Sequence, residues 1–148
     1  MDIKNQNQPT IPQLQLPTHK QIERTVAQKF CTWYRGRLGC LPQKTTCTLF
    51  NRFLIIMAEN ASTPLERIMH QKGETKMINA IRPSINRVLK QELGEIIEEI
   101  TLVKVSDLIC ELNFDSHRLI ASVVLEREPS LRSKKAKTKF ANKPNKSL

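Results

Sequence analysis

The chain has 148 residues, a formal net charge of +10 and 39% hydrophobic residues. That share lies below the roughly 45–50% of ordinary globular chains, so part of the sequence has too little to bury. No run approaches the ~18 apolar residues that span a bilayer, and no charged-then-apolar leader opens the chain, which reads as a cytoplasmic protein.

Residues 1–17 are rich in Gln, Asn and Pro and read as a disordered tail. Residues 129–148 carry seven basic residues and no acid, among them Arg132, Lys134, Lys135, Lys137 and Lys139, and read as a second disordered tail. This leaves +3 for everything up to Glu128, so the basic character is mostly a property of the tail. Residues 18–128 remain for one α+β domain, enough for a modest core without staples.

The first helix opens at Thr18, where Thr18 and Gln21 fit a capping box. Ile22, Val26, Phe30 and Trp33 recur at helical spacing, and the helix is expected to end near Tyr34, ahead of Gly36 and Gly39. Residues 45–59 read as a β-hairpin turning at Asn51-Arg52. Its second strand, Phe53 to Ala58, is almost continuously apolar, which predicts cover on both faces or a central place in the sheet.

A short helix starts at Thr63-Pro64, with Glu66 completing a second capping box and Leu65, Ile68 and Met69 as its expected buried side. A long helix follows from about Thr75 to Glu99, with a kink or break expected at Pro83. Residues 102–125 form a second hairpin, with a bulge near Ser106-Asp107 and a turn at Asp115-Ser116-His117. The order is α-β-β-α-α-β-β. It predicts a mostly antiparallel four-stranded sheet of two hairpins with two or three helices on one face.

Converging chemistry is scarce. His19, His70 and His117 fall near element ends without metal-ligand spacing. Cys31, Cys40, Cys47 and Cys110 form no CxxC pair and read as reduced thiols. Arg35 and Arg37 could lower the pKa of Cys40, yet a half-buried structural thiol is the commoner case. The Gly36–Pro42 segment lacks the order of a phosphate loop and reads as a helix C-cap leading into a turn. Glu92, Glu95, Glu98 and Glu99 read as a solvated helix face. The expectation is no catalytic residue, no cofactor and no metal.

Several stretches together resemble the MpsC-like family of small bacterial proteins. They are the Gly36-Arg37 loop with Gly39 and Pro42, the Asn51-Arg52 turn, and the helix start Ser62-Thr63-Pro64-Leu65-Glu66. Arg82, the run Ile96-Ile97-Glu98-Glu99-Ile100-Thr101 and the strand start Val103-Lys104-Val105 complete them. The resemblance covers roughly residues 21–125; Ser62 and Leu102 replace the family's usual leucine and glycine. It implies a non-enzymatic cytosolic accessory protein linked to cation translocation or inorganic-carbon supply at the membrane.

The expected functional patch is therefore Arg35, Gly36, Arg37, Gly39, Pro42 and Arg82, facing a protein partner or a second copy of the chain, with a peripheral link to a membrane complex. Arg132, Lys134, Lys135, Lys137 and Lys139 would add electrostatic attraction. The alternative is a nucleic-acid or ribosome-associated protein that uses this tail.

Overall fold

A computed structural model describes residues 15–132. The first helix, α1 (His19–Leu38), starts as expected. Thr18 Oγ1 accepts from the Gln21 amide at 3.1 Å, and Gln21 Oε1 accepts from the Thr18 amide at 2.8 Å. The helix runs a turn beyond Tyr34. Gly36 stays helical, and the turn is made at Gly39, whose φ of 71° caps the helix. One glycine inside a helix costs only about 1 kcal/mol, and Leu38 recovers it by packing on the core.

The chain then forms strands β1 (Lys44–Phe50) and β2 (Phe53–Glu59). They pair antiparallel from Lys44↔Glu59 to Phe50↔Phe53, so Asn51 and Arg52 make a two-residue turn. Asn51 takes a φ of 55°, a left-handed conformation that its short polar side chain tolerates. Helix α2 (Pro64–Gln71) has the expected capping box between Thr63 and Glu66. Its buried side differs from the apolar expectation: Met69 is inside together with Glu66, while Leu65 and Ile68 are exposed. The reason is a charge partner, Arg82, waiting on the next helix.

Helix α3 (Thr75–Thr101) continues through Pro83 without a break. At 27 residues it is about 40 Å long. Leu89, Leu93 and Ile97 on its inner face are completely buried. Strands β3 (Val105–Asn113) and β4 (Arg118–Leu125) close the fold, with the register slip between Val105 and Asp107 that the sequence pattern predicts.

The sheet order is β1-β2-β4-β3, antiparallel throughout. Helix α1 packs mainly on β1, α3 on β3 and on α1, and α2 on α3. The core lies between helices and sheet, where Ile22, Val26, Phe30 and Tyr34 meet Leu54, Ile56, Leu119, Ala121 and Val123. The chain stays packed slightly past Glu128: Pro129 is buried, Leu131 rests on the core, and the Arg132 amide donates to the Pro17 carbonyl at 2.9 Å.

Leu102 caps α3 with a φ of 60° and is 63% exposed. A left-handed leucine costs roughly 1–2 kcal/mol, partly offset by the greater unfolded-state freedom of a glycine in its place. Leu102→Gly should therefore raise stability by about 0.5–1 kcal/mol in urea unfolding. An unchanged or lower midpoint would mean that the exposed leucine makes contacts beyond its own chain.

Candidate interaction surfaces

The patch expected from the sequence is divided by the fold. Arg35, Gly36 and Gly39 are exposed around the end of α1. Arg37 is tied sideways, its Nε donating to Glu92 at 2.9 Å beside a 2.8 Å bond from Trp33 Nε1. The Trp33 bond, helped by Arg37, holds the Glu92 carboxyl below the usual carboxylate range. Pro42 is buried beneath the loop. Arg82 is only 4% exposed and lies inside the protein, away from solvent. Lys134, Lys135, Lys137 and Lys139 lie outside the described residues.

Arg82 forms a buried fork with Glu66. Nε donates to Oε2 at 2.7 Å and Nη2 donates to Oε1, while Nη1 reaches Asn86 Oδ1 at 3.3 Å. Burial alone would push the Glu66 carboxyl up, but hydrogen bonds from Arg82 and the Thr63 amide outweigh it and leave the pKa below its ordinary value. Tyr34 sits beside this pair and donates to the Ala61 carbonyl at 2.8 Å. Burial pushes its hydroxyl up to about 12 despite the nearby Arg82. The cluster thus joins α1, α2 and α3, with every polar group answered by another. Its chemistry is that of a clamp.

Cys40, beside this cluster, moves the opposite way from a nucleophile. Burial raises its pKa, and the arginines that oppose the rise are Arg67 and Arg82 rather than Arg35 and Arg37. Ser62 Oγ meets His117 Nδ1 at 2.8 Å, but Arg67 Nε donates to the same oxygen at 3.0 Å. A donor on that oxygen draws electron density from it and opposes nucleophilic attack. Among the described residues, no group of three His, Cys, Asp or Glu side chains could hold a metal ion. Cys31, Cys40, Cys47 and Cys110 are free thiols.

Among the described residues, a run of exposed apolar side chains lies on the far side of the sheet. Leu54, Ile56 and Ala58 of β2 face the helices, as does one half of every other strand. The other half faces outward, and the register sets it in rows. Phe50, Phe53 and Val124 form one row. Thr48, Ile55, Ser122 and Ile109 form the next, and Thr46, Met57, Ile120 and Glu111 the third. Phe50 is 68% exposed, Ile109 56% and Ile55 48%, with Phe53, Ile120 and Met57 also open. Over β3 and β4 the face dips into a groove of about 550 Å³ floored by Ile109 and Ile120 and edged by Glu111 and Arg118.

The central place predicted for β2 is borne out, while among the described residues nothing packs on its second face. A continuous apolar run cannot distinguish the two. The signal that could have exposed the difference lies on the neighbouring strands, where Thr46, Thr48, Ser122 and Glu111 share the outward face.

The described residues form a small antiparallel α+β module with helices on one face of the sheet and a contiguous exposed apolar surface on the other. The chain belongs to the MpsC family: the family model described as Na+-translocating membrane potential-generating system (MpsC) matches residues 18–127. Comparisons with curated proteins and with solved structures return no match. Among the described residues, no helix is long and apolar enough to cross a membrane.

Proposed function

We propose that this protein is a non-catalytic accessory component of the Na+-translocating, membrane-potential-generating system after which its family is named, and that it acts through the outer face of its sheet. The observation that carries this reading is the contiguous apolar surface of Phe50, Phe53, Ile55, Met57, Ile109 and Ile120. Exposed apolar surface of this extent on a small soluble domain marks an interaction site. The polar groups that do converge, Glu66, Arg82 and Tyr34, are buried and satisfied by one another, which suits scaffolding better than turnover. The seven basic residues after Glu128 add long-range attraction toward an acidic surface of the membrane complex.

The test is complementation. In cells lacking this protein, the wild-type chain should restore the Na+-dependent membrane potential, and Ile55→Glu should not, although it folds. Full restoration by Ile55→Glu would remove the sheet face from the mechanism. Failure of the wild-type chain to alter the potential would remove the assignment to the system.

A further inference from the structure

Taking the sheet face as the working surface, as above, we infer that its occupant is a second copy of this chain, packed sheet to sheet about a two-fold axis that runs along the strands.

The dimensions suit such a pair. Four strands spaced about 4.8 Å apart, with about seven residues each rising roughly 3.3 Å, give a face of roughly 19 by 23 Å. Side-chain relief brings its accessible area to the scale of the ~800 Å² per partner that a standard interface buries. The surface also has knobs and hollows. Ser122 lies between Ile55 and Ile109 in its row, a low point framed by larger side chains, and Phe50, Met57 and Ile120 stand proud of it. Two such faces interdigitate at the ~10 Å spacing of stacked sheets.

Charge selects the occupant and the axis. Glu59 and Arg118 are cross-strand neighbours on the rim at 3.7 Å and largely cancel. What remains is segregated. Lys44 stands on the β1 edge and Arg52 at the β1–β2 turn, whereas Glu111 stands on the β3 edge; Asp107, on the same strand, shares a hollow with Arg87 and Lys90 of α3. A two-fold axis along the strands lays the β1 edge of each copy over the β3 edge of the other, so basic meets acidic on both sides. An axis across the strands lays each edge on its own equivalent and gains nothing. An anionic lipid surface or a nucleic acid would meet Glu111 head-on. The exposed apolar residues of the helical side, Leu65, Ile68, Met77 and Val88, lie on two separate helices and do not form the registered rows that the sheet face offers.

Sedimentation equilibrium of the full chain across the micromolar range provides the test. The wild type should weigh twice the 17.1 kDa chain. Ile55→Glu should be a folded monomer, its far-ultraviolet dichroism unchanged, because Ile55 is already half exposed in the single chain. Ile68→Glu, on the helical side, should remain a dimer. Glu111→Lys should weaken the dimer by roughly tenfold or more, and adding Lys44→Glu should recover most of that loss. A monomeric wild type overturns the proposal, as does a dimer that survives Ile55→Glu or dissolves on Ile68→Glu. Equal weakening by Glu111→Lys with and without Lys44→Glu overturns the axis. Complementation reads the wider function separately. A monomeric wild type whose activity is abolished by Ile55→Glu would sink the dimer and leave the docking role. A dimer lost in Ile55→Glu with full restoration of the potential would do the reverse.

Discussion

Arg82→Met should destabilise the domain by about 3–5 kcal/mol, because it leaves the Glu66 carboxylate buried without its partner. A domain of this size has roughly 5–15 kcal/mol in total, so the change removes a large share of its stability. Replacing both partners, Glu66→Leu with Arg82→Met, should cost clearly less than the single change, since no lone charge then remains inside. Urea unfolding of the three proteins measures both claims. The contrast with the sequence reading is direct. A surface arginine serving a partner would lose function at nearly constant stability, whereas this one should lose the fold.

The same pair fixes a pH dependence. The folded Glu66 pKa lies below its unfolded value, which is about 4.3. Its contribution is therefore fully present above that value and is lost as the pH falls through the folded pKa. The stability gap between the wild type and Glu66→Gln should be constant near neutrality and narrow in the acid range below about pH 4. A gap that instead narrowed toward alkaline pH would mean that Glu66 is not held as a carboxylate.

A second large effect should separate two aromatic side chains that look alike in sequence. Phe30 is fully buried, with its ring centroid 5.2 Å from that of Tyr34 at the centre of the α1 packing. Phe30→Ala should cost about 3–5 kcal/mol. Phe53 is on the outward face with Arg52 stacked over it at 5.6 Å. Measured at dilution, Phe53→Ala should change folding stability by no more than about 0.5 kcal/mol. Comparable losses in the two variants would show that the outer face is needed for folding, and its reading as an interaction surface would fail.

Much of the architecture was legible because local chemistry and packing agree there. Both capping boxes, the Asn51-Arg52 turn and the bulge near Asp107 depend on residues close in sequence, and each formed where the pattern placed it. The end of α1 was less legible, because Gly36 is only a weak breaker and the packing of Leu38 decides the outcome. The buried side of α2 was legible only at Met69. Glu66 was recognisable as a cap, but its inward turn depends on Arg82, sixteen residues away on another helix.

The expected interaction patch shows the same division. Gly36, Gly39 and their arginines could be identified as a helix end, but nothing local says whether an arginine reaches solvent. Arg37 finds Glu92 and Arg82 finds Glu66 only once α1, α2 and α3 are packed together. By itself the sequence determined the element order, the strand pairing within each hairpin and the MpsC resemblance, since periodicity, turn residues and caps act over a few positions. The tertiary structure decided which face of the sheet is covered. Among the described residues, helices lie on one face of the sheet and leave the other exposed, and alternation along a strand records two faces without recording what lies against each.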